Sequence, residues 1–257
     1  MNFIKHVDYF DTIKNNIIEL VNQNKVVVIQ NLPEHIDLDI FYKDLGETLG
    51  LLFRKDVDPI NKKIIHDSWT TIRFDERYIN QTYKHSNKHQ PLHTDYCNAS
   101  IELDLVLLIC KKAADFGGAT VFYDSSDLVK LLKKFKPNLF EQMQMKTVIF
   151  GKQPSPIFQN STKILSFDDL GPIINWNYAV ISEENSQEVI EMCEEFHDFL
   201  EENIFLSGET ISISLKERDA VIMNDQRILH GRNSFLGDRF LLKAGIASKN
   251  HEEILRN

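Results

Sequence analysis

Apolar residues recur at helical spacing in five parts of the chain, with polar residues on the opposite face. Asp37 precedes the second of these segments as a candidate N-cap, and Pro137 stands just before the fourth or at its first position. His6 and Asp8 are expected to open a terminal helix. The predicted helices cover residues 9–22, 38–51, 125–135, 138–145 and 186–203.

Short runs rich in β-branched and aromatic residues separate these helices and predict strands. The runs lie at 25–29, 63–66, 70–74, 103–110, 120–123, 146–150, 163–167, 210–214, 220–223, 227–230 and 239–247. Strands dispersed around a few flanking helices predict a mainly β chain with a double-stranded β-helix (jelly-roll) core. No linker composition and no internal repeat divides the sequence, so residues 1–257 are expected to form a single domain.

Composition narrows the class of partner. With 42% hydrophobic and 26% charged residues the chain is an ordinary globular protein, and its net charge of −9 argues against nucleic acid. Cys97, Cys110 and Cys193 form neither a disulfide framework nor a zinc motif, which fits a reducing cytoplasm. The first residues are too polar for a signal peptide, and no apolar run approaches a membrane span. A small molecule is the expected partner, and the oligomeric state stays open.

The sequence His93-Thr94-Asp95 is a candidate metal motif. On an extended chain, residues i and i+2 point to the same side, so His93 and Asp95 can share an ion. The same spacing occurs in three other places, which lie in the expected terminal helix, a loop and a polar tail: His6/Asp8, His35/Asp37 and His251/Glu253. Only the pair at 93 and 95 runs toward a strong predicted strand.

His230 completes the candidate site if its strand lies beside that of His93. Two imidazoles and one carboxylate on one face are typical of non-haem iron(II) oxygenases, whereas zinc prefers a closed set of four ligands. The alternative is that His93 is a hydrogen-bonded surface histidine and His230 a packed core residue.

Three further stretches carry a resemblance to a known family. The sequence Leu92-His93-Thr94-Asp95 resembles the proximal motif of iron(II)/2-oxoglutarate-dependent dioxygenases of the taurine dioxygenase and clavaminate synthase type. Residues 224–232 resemble the distal motif, and 237–241 are similar to the Asp-Arg-Trp-Leu element that follows it. This likeness covers most of the chain.

The resemblance implies that His93, Asp95 and His230 bind Fe(II). It implies that Arg239 holds the distal carboxylate of 2-oxoglutarate and that Thr120 assists, a task for which a guanidinium fork suits a carboxylate. From the residues alone, Arg239 could instead form a surface ion pair with Asp238, and Thr120 could be an ordinary strand residue. The interval from His230 to Arg239 is shorter than in many relatives, so the intervening loop is reduced or Arg239 is displaced.

Lys243 stands where several members carry a second arginine, and it either binds a substrate anion or faces solvent. Arg232 is expected to brace the loop. Other candidate substrate contacts lie before the proximal motif and in a later polar loop: Arg73, Tyr83, His85, Trp176 and Asn177. Trp176 either walls the substrate pocket or packs in the core.

The implied reaction is hydroxylation of an unactivated C–H bond in a small polar substrate, a free amino acid or similar carboxylate. It consumes O₂ and 2-oxoglutarate and releases succinate and CO₂. Asp95 fills a position that halogenating relatives leave to chloride, which favours hydroxylation, desaturation or epoxidation. A cupin-like metal-binding protein without oxygenase activity, and a Zn(II) or Mn(II) isomerase or hydrolase, remain the alternatives.

Overall fold

The structure is a computed structural model that describes residues 3–57, 64–78, 82–99, 103–151 and 159–248. Five α-helices lie in these ranges, and the last continues into one turn of π-helix at Glu201–Phe205. Short 3-10 turns cover Glu76–Tyr78, Tyr83–His85 and Tyr178–Val180. The helices are α1 (Ile13–Gln23), α2 (Leu38–Leu49), α3 (Ser125–Phe135), α4 (Pro137–Met145) and α5 (Gln187–Leu200).

Strands dominate the same ranges. They are β1 (Ile4–Asp8), β2 (Val26–Gln30), β3 (Gly50–Phe53), β4 (Lys55–Val57), β5 (Ile64–His66), β6 (Thr70–Arg73), β7 (Gln90–His93), β8 (Leu105–Lys112), β9 (Phe116–Gly117), β10 (Thr120–Asp124), β11 (Thr147–Phe150), β12 (Asn160–Lys163), β13 (Leu165–Asp168), β14 (Gly171–Ile174), β15 (Ile211–Ile213), β16 (Ala220–Asn224), β17 (Ile228–Arg232), β18 (Phe235–Leu236) and β19 (Phe240–Ser248).

Two sheets form the centre of the molecule. The seven-stranded sheet has the order β1-β2-β16-β8-β19-β3, with β6 also paired to β19. The four-stranded sheet has the order β15-β10-β17-β7. In the described ranges the remaining strands form two-stranded ribbons, β11-β12, β13-β14, β18-β9 and β4-β5.

Side-chain alternation along the strands explains how the layers stack. On β8, Val106 and Leu108 share an apolar cluster with Phe122 of β10, so these faces of the two sheets pack together. Leu107 and its neighbours on the opposite face of β8 pack on α1 and α2. Val121 of β10 packs on the outer layer formed by α3, α4 and α5. The two sheets therefore lie between two layers of helices, and the space between the sheets is closed by apolar side chains except where polar residues enter.

Most predicted elements are present. The carboxylate of Asp37 accepts a hydrogen bond from the backbone N–H of Ile40 at 2.8 Å, so the predicted N-cap is confirmed. Pro137 is the first residue of α4. Helix α1 begins four residues later than predicted, and 163–167 is the junction of two strands, β12 and β13, rather than one. Residue 63, and the pair His251/Glu253, lie outside the described residues.

The terminal helix expected at His6 and Asp8 is wrong. Both residues lie on β1, which pairs in parallel with β2 and covers the edge of the large sheet. A strand forms here because four of the five residues of β2 are buried and apolar and its edge is available for pairing, which outweighs the weak local pattern. In the described ranges, no helix is long and apolar enough to cross a membrane.

Candidate metal centre

The pairing of β7 with β17 brings two histidines together. His93 lies directly opposite His230 in this antiparallel pair, and their ring centroids are 4.3 Å apart. His230 is also paired with Phe122, whose side chain belongs to the cluster between the sheets. Because directly opposed residues share a face, both imidazoles project into the space between the two sheets.

Asp95 reaches the same point from a turn. Strand β7 ends at His93, and Thr94 is fixed because its N–H donates to the Trp176 carbonyl at 2.6 Å and its hydroxyl accepts from the Trp176 N–H at 2.9 Å. The Asp95 N–H donates to the Asp225 carboxylate at 2.8 Å, and Tyr96 has φ 53°. The expectation that His93 and Asp95 share an extended strand is therefore wrong for Asp95. The turn after His93 brings the Asp95 carboxylate close to the two imidazoles.

The three side chains offer ligand atoms that all lie within 4.8 Å of one another. The distance from Asp95 Oδ2 to His230 Nε2 is 3.5 Å, and that from Asp95 Oδ1 to His93 Nε2 is 3.8 Å. His93 Nδ1 lies 2.8 Å from the Pro91 carbonyl, so Nδ1 carries the proton and the Nε2 lone pair faces the cluster. Asp95 Oδ2 is buried, and within the described ranges it has no hydrogen-bond partner. A buried carboxylate oxygen of this kind, placed between two imidazoles, is a suitable ligand for a metal ion.

The charges of the cluster also suit a cation. Burial and the neighbouring His230 lower the pKa of His93 to about 3, so this imidazole is neutral and able to ligate. Burial by itself would raise the pKa of Asp95, but the Lys243 ammonium and the neighbouring His230 hold it well below its usual range. Because metal ligands must be deprotonated, the site needs little rearrangement of protons to bind an ion.

Lys243 lies on β19 and points into the space between the sheets. Its ammonium nitrogen is 2.7 Å from Asp95 Oδ1 and 5.1 Å from the centre of the Tyr96 ring. Burial by itself would lower the pKa of Lys243, but the Asp95 carboxylate raises it above the usual value, so the side chain is cationic. The alternative in which Lys243 faces solvent is wrong, because its partner lies inside.

A cavity of about 80 Å³ lies next to the three candidate ligands, between the sheets. Arg239 and Thr120 line it, with exposed fractions of only 6% and 3%, together with apolar Leu108 and Leu241. Within the described ranges, the Arg239 guanidinium has no hydrogen-bond or ion-pair partner, and it packs near the Phe235 ring at 5.8 Å. Burial lowers the pKa of Arg239 to about 10, which still leaves it charged at neutral pH. A buried, unpaired guanidinium requires an anion.

The alternative ion pair of Arg239 with Asp238 is wrong. Asp238 is bonded to Arg73 and Lys112 on the exposed side of the sheet. The short interval after His230 is spanned by β18, which pairs with β9 and turns at Gly237 with φ 87°. A compact ribbon therefore delivers Arg239 to the cavity without a long loop.

A second cavity, of about 660 Å³, opens from two of the candidate ligands, His93 and Asp95, toward the surface. It shares Lys84, Gln90 and Lys243 with the smaller cavity, as well as His93 and Asp95. Two of the predicted substrate contacts, Tyr83 and Asn177, line it, and so do Lys88 and Tyr178. This cavity is the space in which a substrate would meet the metal.

Three predicted substrate contacts lie elsewhere. Alternation on β6 turns Thr70 and Ile72 toward the small cavity and Arg73 away from it, where Arg73 bonds both oxygens of Asp238 at 3.1 Å. His85 is buried outside both cavities, and its Nδ1 is 3.0 Å from the Arg73 carbonyl.

Trp176 is a core residue and not a pocket wall. Its side chain is fully buried and packs edge-on against Phe196 of α5 at 4.6 Å. The polar neighbours in its sequence suggested an exposed loop, but the ring turns inward while the backbone bonds Thr94.

Asp225 and Arg232 support the site, and Gln90 contacts a candidate ligand atom; the sequence pattern singled out neither Asp225 nor Gln90. Asp225 Oδ1 lies 3.8 Å from His230 Nδ1. The Gln90 amide lies 3.1 Å from His93 Nε2 and would have to turn away when that nitrogen binds an ion. Arg232 donates to the carbonyls of Ser86 at 2.7 Å and Lys88 at 2.8 Å, in agreement with a bracing role. The signal for Asp225 was its place in the distal motif, five residues before His230.

Comparison with known proteins decides the family. Residues 4–244 match the family profile described as taurine catabolism dioxygenase TauD, TfdA family. The chain belongs to this family of dioxygenases. The resemblance to iron(II)/2-oxoglutarate-dependent enzymes is therefore confirmed, and the chain is a dioxygenase. No curated protein matches the sequence at a significant level.

Solved structures share the TauD/TfdA fold at low sequence identity. An asparagine oxygenase complex has a TM-score of 0.68 and 12% identity, with 94% of this chain and 80% of that chain covered. The non-haem iron oxygenase OrfP, in complex with Fe and α-ketoglutaric acid, has a TM-score of 0.67 and 14% identity, with 96% and 82% covered. PvcB from Pseudomonas aeruginosa has a TM-score of 0.61 and 14% identity, with 92% and 81% covered.

Proposed function

We propose that this dioxygenase uses Fe(II), held by His93, Asp95 and His230, to hydroxylate an unactivated C–H bond of a small polar substrate. The observation that carries the proposal is the buried Asp95 Oδ2, which has no hydrogen-bond partner among the described residues and lies 3.5 Å from His230 Nε2. Two imidazoles and one carboxylate form the facial ligand set of non-haem iron oxygenases.

We propose that Arg239 and Thr120 receive 2-oxoglutarate in the small cavity. Arg239 offers a buried, unpartnered guanidinium, whose fork can meet a carboxylate through two parallel hydrogen bonds. Thr120 adds a hydroxyl to the same wall. The structure of OrfP with Fe and α-ketoglutaric acid supports this choice of cosubstrate.

The iron and 2-oxoglutarate, when bound, supply the oxidation of the C–H bond by O₂, with succinate and CO₂ as by-products. The chain supplies binding and exclusion of water. His93 keeps its Nδ1 proton on the Pro91 carbonyl, so that Nε2 stays available as a ligand. Apolar Leu108 and Leu241 line the cosubstrate cavity and limit its hydration.

We propose a free amino acid, or a similar small carboxylate, as the substrate of the large cavity. Among the fold relatives, asparagine oxygenase was crystallised with a hydroxyasparagine and succinate, and OrfP with (3S)-hydroxy-L-Arg. Here the cavity presents a phenol, an amide and ammonium groups, from Tyr83, Asn177, Lys84 and Lys88. Such a wall suits a polar substrate that bears a carboxylate.

We also propose the type of core, the domain organisation and the location of the protein. The two facing sheets support a double-stranded β-helix core, and the continuous match over residues 4–244 supports a single domain for residues 1–257. The three free, buried cysteines support a cytoplasmic location.

Anaerobic reconstitution with Fe(II) and 2-oxoglutarate tests the proposal. Chelation of the iron by 2-oxoglutarate gives a weak visible charge-transfer band, which we expect in the wild type, absent in His93→Ala and weakened in Arg239→Ala. The matched controls are His35→Ala and Arg73→Ala, at exposed positions outside both cavities. If the wild type shows no band and does not bind 2-oxoglutarate, the proposal is wrong.

Succinate release, screened over amino acids, sulfonates and sugar acids, identifies the substrate. The product then separates the reaction types, because hydroxylation and epoxidation add an oxygen atom whereas desaturation removes two hydrogen atoms. Metal binding with neither succinate release nor product, over the whole screen, would favour a Zn(II) or Mn(II) isomerase or hydrolase or a non-catalytic metal-binding role.

A further inference from the structure

The two oxygens of the Asp95 carboxylate have different surroundings. Oδ1 accepts a hydrogen bond from the Lys243 ammonium at 2.7 Å, whereas Oδ2 is buried and receives no hydrogen bond from the part of the chain that the structure describes. Oδ2 is also the oxygen that faces His230 Nε2, at 3.5 Å. One oxygen of the candidate ligand is therefore occupied by a cation of the chain itself, and the other is available.

Lys243 is held in this position by the sheet. It pairs with Leu108 of β8 on one side and with Thr70 of β6 on the other, and its side chain passes between the two cavities. Its ammonium also lies 5.1 Å from the centre of the Tyr96 ring, one residue after Asp95. The paired strands set the face on which the Lys243 side chain projects, and its contacts with Asp95 and the Tyr96 ring set the place of its ammonium.

We propose that Lys243 is a positioning residue that reserves Asp95 Oδ1, so that Asp95 presents only Oδ2 to the metal. The inference rests on the proposed function, because it assigns Asp95 as an iron ligand. Under this assignment Lys243 does not carry the substrate's anionic group. It keeps the carboxylate from occupying a second place on the metal, which the cosubstrate needs.

Because Lys243 is cationic, the proposed role predicts the direction in which metal affinity and 2-oxoglutarate affinity change when the charge is removed. A cation that contacts a carboxylate ligand weakens the attraction of that ligand for a divalent metal, because like charges repel at short range in a medium of low polarity. The same cation attracts a bound dianion. Removal of the charge is therefore expected to tighten metal binding and to weaken 2-oxoglutarate binding. Release of Oδ1 reinforces both effects, because a second carboxylate oxygen on the metal strengthens metal binding and takes a place that 2-oxoglutarate needs.

Two titrations test these opposite changes in affinity. The metal-free protein is titrated with Co(II), and the Co(II) protein is then titrated with 2-oxoglutarate. For Lys243→Met we expect the Co(II) dissociation constant to fall several-fold and that of 2-oxoglutarate to rise about tenfold, within the range for changes to groups that contact metal ligands. The visible spectrum of bound Co(II) should also change, since it reports the number of ligands. Lys243→Arg, which keeps the charge, should stay closer to the wild type in both constants.

Lys14→Met is the matched control, because Lys14 also pairs with an aspartate, Asp44 at 2.9 Å, but on exposed helices far from the site. It should change neither constant. Lys243→Gln keeps a donor for Oδ1 without the charge, and it gives a second measurement if Lys243→Met does not fold. A parallel loss of Co(II) and 2-oxoglutarate binding in folded variants, or no change in either, would overturn the role.

Failure of the proposed function gives a different result. The wild-type protein would then bind Co(II) without any affinity for 2-oxoglutarate, whereas the Co(II) arm of the comparison would still report on Lys243 and Asp95.

Discussion

His93 and His230 are direct partners across the antiparallel pair of β7 and β17, and their rings stand 4.3 Å apart. The metal centre is therefore set by strand register. A slip of one residue would turn one imidazole to the outer face, against the helices, because side chains alternate along a strand. The residues that fix this register should affect metal binding although they offer no ligand.

Gly231 is such a residue. A Cβ added at Gly231 would lie 2.7 Å from the Gln90 carbonyl oxygen on β7 and 3.2 Å from a Val121 methyl group. Gly231→Ala should push β17 away from β7, which separates His230 from His93. We expect a loss of stability of about 1–3 kcal/mol, typical of overpacking, and at least tenfold weaker Co(II) binding. Urea denaturation and Co(II) titration measure the two effects, and an unchanged affinity would contradict the register argument.

Arg239 should set the affinity for 2-oxoglutarate with little effect on the metal. Arg239→Ala leaves no cation for the distal carboxylate, and we expect a loss of about 2–5 kcal/mol of 2-oxoglutarate binding, as for truncation of a buried charge pair. Arg239→Lys should recover part of it, because an ammonium cannot reproduce the two-pronged contact. Calorimetry on the Co(II) protein measures both constants. Equal losses for metal and cosubstrate would indicate a general structural defect.

Arg73 should contribute to neither affinity. Its ion pair with Asp238 joins side chains that are 53% and 40% exposed, so Arg73→Ala is expected to cost less than about 1 kcal/mol of stability. We expect unchanged 2-oxoglutarate binding and unchanged substrate selectivity in the succinate assay. A selectivity change in this variant would mean that Arg73 leaves Asp238 and reaches the substrate.

Trp176 should behave as a core residue. Its ring is fully buried against Phe196, so Trp176→Ala is expected to destabilise the fold by about 3–5 kcal/mol, and Trp176→Phe by roughly 1–2 kcal/mol. Because the contacts to Thr94 come from the backbone, Trp176→Phe should retain Co(II) binding. Denaturation curves and Co(II) titration check this, and an altered substrate preference in Trp176→Phe would instead assign the ring to the pocket.

Local pattern located most of the helices and the candidate ligand residues, but not the strand at His6 and Asp8. Asp37 and Pro137 marked helix starts correctly, because capping and proline geometry depend on a few neighbouring residues. The pair His93 and Asp95 was also recognisable, although the turn after His93, and not an extended strand, makes them converge. The sequence does not encode that turn locally, since it depends on backbone hydrogen bonds to Trp176.

The predictions of three substrate contacts were wrong for a related reason. Arg73 and His85 were chosen because they precede the proximal motif, and Trp176 because it is a rare residue in a polar loop, but alternation and packing decide which way each side chain points. Arg73 lies one residue from Ile72, which lines the small cavity, and yet it faces the opposite side of the strand. Lys243, within β19, and Asp95, in the turn after β7, are far apart in the sequence, so their contact could be found only from the three-dimensional arrangement.

Asp225 is expected to affect both the metal affinity of the site and the stability of the metal-free protein. Its Oδ1 accepts from the Asp95 N–H at 2.8 Å and lies 3.8 Å from His230 Nδ1, a buried nitrogen that has no hydrogen-bond partner among the described residues. Asp225→Asn can keep the first contact but loses the negative charge beside the imidazole. We expect about tenfold weaker Co(II) binding, since carboxylates that contact ligating histidines have effects of this size.

The same substitution should stabilise the metal-free protein at neutral pH. Burial and the nearby Asp95 carboxylate raise the pKa of Asp225 well above its usual range. The unfolded chain ionises this carboxyl near its ordinary pKa, so the folded state loses stability as pH rises from there toward the raised value. Asp225→Asn removes that loss, and we expect a gain on the order of 1 kcal/mol. Melting curves of the metal-free proteins at pH 5 and pH 8 measure it, with Asp44→Asn, at an exposed helix position, as the control. A variant that melts below the wild type at both pH values would show that the charge of Asp225 is stabilising without the metal.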